Sequence, residues 1–75
     1  MTSDSLRMWV IYDHPSDHPH NFVARLWRVT AGKTDATDTV LMGPLEDLRT
    51  AMRNDGLTRL TRQAGDDPVI VEVWL

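Results

Sequence analysis

Gly43-Pro44 and Asn54-Asp55-Gly56 bracket the one stretch of this chain with helical spacing, and the segments on either side read as strands. Leu45, Leu48 and Met52, with Ala51 beside them, fall on a single apolar stripe at that spacing. Gly43 suits the N-cap and Pro44 the first helical position, where a missing N–H costs nothing. Glu46 and Asp47 stand at the positive end of the helix dipole, and Arg49 and Arg53 toward the negative end. Gly56 is placed for a left-handed C-cap. A helix over 44–54 is about 16 Å long at 1.5 Å per residue, so it can cover one face of a sheet and no more.

The strands follow from β-branched and aromatic runs closed by turn residues. They are expected over 7–12, 22–30, 38–42, 57–62 and 69–75. Residues 1–6 form a polar lead-in, the 13–21 connection carries two His-Pro pairs, and turns fall at 31–37 and 64–68. Proline has no N–H to give to a ladder, so no central strand can pass through 13–21. The whole is read as one α+β domain, 1–75, in β-β-β-α-β-β order. Short connections favour an antiparallel five-stranded sheet with the helix on one face.

Alternation divides each strand into two sets of side chains. The first strand gives Met8, Val10 and Tyr12 against Trp9 and Ile11; the second gives Phe22, Ala24 and Leu26 against Val23, Arg25, Trp27 and Val29. The last gives Val69, Val71, Val73 and Leu75 against Ile70, Glu72 and Trp74. Pairing the helix with the aliphatic sets and Phe22 leaves Trp9, Ile11, Arg25, Trp27, Ile70, Glu72 and Trp74 on the uncovered face. That aromatic patch, with one charge of each sign, is a candidate partner surface or homodimer interface. The competing reading is that some tryptophans tuck beneath loops.

A chain of 75 residues without cysteine has a single modest core and no disulfide to reinforce it. Self-association or partner binding is the natural supplement. The net charge of −3 argues against direct nucleic-acid binding, which needs a basic surface to displace phosphate counterions. Exposed sheet aromatics that stack single-stranded RNA bases are the weaker alternative. No apolar run approaches a membrane span and no signal-peptide pattern opens the chain, so a cytoplasmic protein without membrane contact is expected.

Constellations for chemistry are sparse. His14, His18 and His20 fall in one short loop with Asp13 and Asp17, making them weak metal candidates, but their spacing matches no known hydrolytic motif. A solvated turn in which the aspartates cap their own backbone explains the loop equally well. Ser16 has histidines on both sides, yet adjacency on a turn does not hold a base beside a nucleophile. No cofactor is expected, and the chain is read as a binding protein, not an enzyme. Asp35, Asp38, Glu46, Asp47, Asp66 and Asp67 form an acidic fringe that would suit a basic partner.

Trp9-Val10-Ile11-Tyr12-Asp13-His14-Pro15 with Asp17, then Phe22-Val23-Ala24-Arg25 and Trp27, resembles a family of short bacterial and phage-borne proteins of unassigned function. The ending Asp66-Asp67-Pro68 with Ile70-Val71-Glu72-Val73-Trp74 is similar to the same family, while the middle of the chain is only loosely alike. The resemblance implies a phage or prophage setting and supplies no catalytic residues. In size and charge the chain also looks like the anti-CRISPR proteins. That analogy implies a protein-binding inhibitor whose acidic fringe would meet the basic DNA-binding surface of a type I Cascade-type complex in the host cytoplasm. A homodimeric adaptor is the alternative.

Overall fold

The computed structural model describes residues 6–61 and 68–75. Five strands form one antiparallel sheet: β1 (Leu6–Asp13), β2 (Phe22–Thr30), β3 (Lys33–Gly43), β4 (Arg59–Thr61) and β5 (Ile70–Trp74). One helix, α1 (Leu45–Asn54), lies between β3 and β4 in the chain. The spatial order is β3-β2-β1-β5-β4. The fold is therefore α+β with the expected β-β-β-α-β-β order, and α1 joins the two strands at opposite edges of the sheet.

The turn expected at 31–37 closes in two residues. Ala31 and Gly32 connect the paired Thr30 and Lys33, and Gly32 takes the positive φ of +75° that the tight turn needs. The threonines of 34–39 then enter β3, where a β-branched side chain fits the pleat and one face can stay solvated. Between Ala36 and Val40, β3 carries two more residues than β2 opposite it. Thr37 anchors this bulge: its hydroxyl donates to the Leu26 carbonyl at 2.8 Å and accepts from the Thr39 N–H at 3.1 Å. At the other ends, Leu6 already belongs to β1, while β4 is only three residues long. Leu75 extends the β4–β5 ladder by exchanging both backbone hydrogen bonds with Thr58. The turn expected at 64–68 lies mostly outside the described residues.

Pro44, not Gly43, is the N-cap of α1, because Gly43 remains paired with Phe22 in the sheet and Pro44 is still extended (ψ 146°). The Pro44 carbonyl accepts from the N–H groups of Asp47 and Leu48. At the C-terminus the Gly56 N–H donates to Arg53 O (3.0 Å) and the Leu57 N–H to Met52 O (3.2 Å), the paired bonds of a Schellman motif. Gly56 has φ +75°, and Leu57 packs back on the core that includes Met52.

Register decides which side-chain sets share a face. Trp9 stands opposite Leu26, Ile11 opposite Ala24, and Asp13 opposite Phe22, so odd residues of β1 keep company with even residues of β2. On the other side of β1, Trp9 pairs with Trp74 and Ile11 with Glu72. Leu48 and Met52 of α1 pack on this face, in a core with Trp9, Ile11, Ala24 and Trp74; Phe22, Leu26, Leu45 and Leu57 close its margins. The expectation that the helix covers Met8, Val10 and Tyr12 is corrected: those residues belong to the other face, opposite Trp27, Arg25 and Val23.

Gly56→Ala should lower stability by about 1–2 kcal/mol, the cost of forcing a Cβ into the left-handed region. An added Cβ there meets nothing within 4 Å, so the cost is conformational alone. Urea denaturation checks it, and an unchanged midpoint would contradict the C-cap geometry.

Candidate interaction surfaces

Arg49 lies on the same helical stripe as Leu45, Leu48 and Met52, and the face beneath α1 has to supply its counter-charge. Glu72 does so. The Arg49 guanidinium donates from Nη2 to Glu72 Oε1 (2.8 Å) and from Nε to Oε2 (3.1 Å), and the Trp74 indole N–H adds a third bond to Oε2 at 2.8 Å. Glu72 is 4% exposed, the one charged residue buried in the core among the described residues. Burial pushes its carboxyl up, but the hydrogen bonds from Arg49 and Trp74 and the charges of Arg49 and Arg59 outweigh that. They hold the carboxyl below its ordinary value of 4.5. Arg49 is raised in turn, chiefly by its hydrogen bonds to Glu72, against the desolvation it suffers.

The expected aromatic face is thereby divided. Trp9, Ile11, Glu72 and Trp74 lie under the helix and are buried. Arg25 and Trp27 lie on the opposite face, and a register shift after Ile11 sets Ile70 opposite Tyr12. The three tryptophans therefore form no common patch. The Trp9 indole N–H is buried without an acceptor among the described residues, a cost of about 1–3 kcal/mol that its apolar contacts must outweigh.

The face away from the helix carries Leu6, Met8, Val10 and Tyr12 of β1, and Val23, Arg25, Trp27 and Val29 of β2. Thr34, Ala36, Val40 and Met42 of β3 join it on one side, and Val73 of β5 and Leu60 of β4 on the other. Arg25 is the one charged side chain at these paired positions. Its guanidinium is already engaged, by the Thr37 carbonyl at 3.1 Å and the Asp17 carboxylate at 3.8 Å. The helix-covered face, by contrast, holds Arg7, Asp13, Arg28, Asp35, Arg59 and Glu72. The sheet thus turns its less charged side away from its own helix.

Val10 (5% exposed) and Val23 (1%) are buried on this open face and stand outside the main core cluster. Their register neighbours are Arg25 and Tyr12, and the Trp27 indole N–H donates to the Tyr12 hydroxyl at 3.2 Å. Pro15 and Asp17 of the 14–21 connection bring a second wall. Tyr12, Pro15, Asp17, Val23 and Arg25 enclose about 160 Å³, well below the ~300–1,000 Å³ of ordinary ligand sites. An open hollow of about 330 Å³ lies at the margin between Leu6, Arg7, Asp55, Leu57 and Leu75. Arg7 and Asp55 approach to 3.6 Å there, both largely exposed. Leu6 (53% exposed), Met42 (52%) and Leu60 (43%) remain open to water.

The acidic fringe does not gather into one cluster. Asp35 faces Arg28 near the β2–β3 turn, Asp38 sits in the β3 bulge, and Glu46 and Asp47 lie in the first turn of α1. All four are exposed, and Glu46 is taken up by Arg49 at 3.1 Å. Asp66 and Asp67 lie outside the described residues. In the histidine loop, His14 adopts φ +47°, with Nδ1 at 2.5 Å from Asp13 Oδ1 and its ring edge-on to Phe22 at 4.8 Å. His18 lies 3.9 Å from Asp17. Among the described residues no group of three or more such side chains converges to hold a metal ion. Among the described residues no helix is long and apolar enough to cross a membrane. No family model, curated protein or solved structure matches this chain.

Sequence reasoning overlooked the open-face residues Met8, Val40, Met42, Leu60 and Val73. The signal that would have found them is Arg49. Its position in the apolar stripe requires a carboxylate beneath the helix, and Glu72 brings Trp74 with it.

Arg49→Met should cost about 3–5 kcal/mol at neutral pH, because it leaves a buried carboxylate without its cation. The folded-state pKa of Glu72 lies below the unfolded one, so the pair stabilises above about pH 4.5 and the contribution is lost as pH falls through the folded value. Urea denaturation of both proteins should show the difference shrinking on acidification, first as the unpaired Glu72 of the variant takes up its proton and then as the paired one does. A gap that stays constant with pH would contradict this account.

Proposed function

We propose that this chain is a small, non-enzymatic protein-binding domain that works through the open face of its sheet. One observation carries the reading: the face without a helix is the apolar one, with Arg25 its single charged side chain at the paired positions. Apolar area left in water forgoes roughly 25 cal/mol per Å², and Leu6, Met42 and Leu60 stay exposed around the margins of this face.

The narrower reading is an anti-CRISPR inhibitor from a phage or other mobile element, acting on a type I Cascade-type complex. It is supported by the resemblance of the two chain ends and by exposed carboxylates on β3 and α1, of which Asp35, Asp38 and Asp47 have no ion-pair partner among the described residues. Carboxylates facing Lys and Arg steer association, and such binding weakens as salt rises.

A photo-crosslinking residue placed at Met42 or at Leu60, both exposed, should give a discrete protein adduct in the producing cell. The same residue at Arg53, on the outer side of α1, should not. Absence of any adduct from 42 and 60 would remove the protein-binding reading. For the narrower one, the purified chain should prevent a type I effector complex from shifting its target DNA in a gel. Asp38→Asn with Asp47→Asn should weaken that effect about tenfold or more; an unaffected shift would leave no support for the anti-CRISPR assignment.

A further inference from the structure

We infer that the open sheet face is covered by a second copy of this chain, the two sheets stacking about a two-fold axis into a β-sandwich. The inference rests on the reading of that face as an interface and names its occupant.

Charge selects the occupant. A two-fold contact sets each patch against itself, so any net charge on it is doubled and opposed. The chain carries −3 overall, and contact through β3 and the start of α1 would press Asp35, Asp38, Glu46 and Asp47 toward their own copies. The paired positions of the open face avoid this, since none of them carries a carboxylate. The lone cation of the face, Arg25, already has Asp17 beside it, so stacking brings no uncompensated like charges together. A foreign partner would instead find no charge on this face by which to be recognised or excluded.

Area agrees. Five strands spaced about 4.8 Å apart, with three to eight paired residues in each, give a footprint of roughly 500 Å² per copy. Both copies together then bury roughly 1,000 Å², at the lower bound for a specific interface, as expected for a small chain. Two aligned sheets pack about 10 Å apart. The half-exposed Met8, Tyr12 and Trp27 would fill that layer, with the exposed Met42 and Leu60 near its rim. Val10 and Val23, already buried beneath them, become the floor of a second core.

Light scattering at roughly 50 µM chain, far above a Kd of about 1 µM, should give twice the 8.6 kDa of one chain. Thermal midpoints should rise with protein concentration. Met8→Lys keeps an aliphatic stem on the sheet but sets two ammonium groups at the centre of the contact. Met42→Lys places an ammonium group near the rim of the contact, at an exposed position that the fold does not need. Each should weaken dimerisation at least tenfold while circular dichroism stays native-like, and Asp47→Lys on α1 should not. A wild-type mass of one chain would overturn the inference, as would a dimer indifferent to both lysines. Photo-adducts from positions 42 and 60 identify the occupant independently. Chain–chain adducts support the sandwich; adducts with a different protein alone would overturn it while leaving the protein-binding reading intact.

Discussion

The Arg49–Glu72 pair fixes which face of the sheet lies beneath α1. A buried ion pair adds little net stability over a well-packed apolar substitute, since desolvation offsets much of the attraction. Its consequence here is geometric. With Glu72 buried, only one face of β5 can lie beneath α1, and Trp74 and Trp9 follow it into the core. The indole of Trp74 completes the arrangement by donating to the same carboxylate. Reversing the sheet under the helix would strand Glu72 in water, leave Arg49 facing Val73, and expose two tryptophans.

Having committed its helix to the face with the charges, the chain leaves the cleaner apolar face without a layer of its own. The large side chains over Val10 and Val23 shield them partially, helped by the Trp27–Tyr12 hydrogen bond and the Arg25 contacts with Asp17 and Thr37. This mends the face locally. It does not reach Leu6, Met42 or Leu60, which remain at its margins. A domain of this size has little stability to spare from a single core, and a surface that is half a core already is where a partner adds most. The acidic positions are arranged differently. They lie on β3 and at the N-terminus of α1, away from the centre of the open face, so the two surfaces can act independently.

Much of this was legible in the residues. The helix limits were marked by Pro44 and Gly56, its apolar stripe by Leu45, Leu48 and Met52, and the strand sets by alternation. The two sets within β1 and within β2 were divided correctly. What went astray was the pairing of sets between strands, since a shift of one residue exchanges the faces. Matching aliphatic with aliphatic looked natural, but β1 and β2 align Trp9 with Leu26 and Met8 with Trp27. The length of β3 was also hidden, because Lys33 and Asp35 read as part of a polar turn and only pairing with β2 holds them extended.

By itself the sequence determined that one short helix could cover only one side of a five-stranded antiparallel sheet, because periodicity and capping are local properties of neighbouring residues. It equally determined that one sheet face would be left for something else. Which face that is, only the tertiary structure decided. The choice depends on strand register and on a contact between Arg49 and Glu72, residues on different elements that only the folded chain brings together.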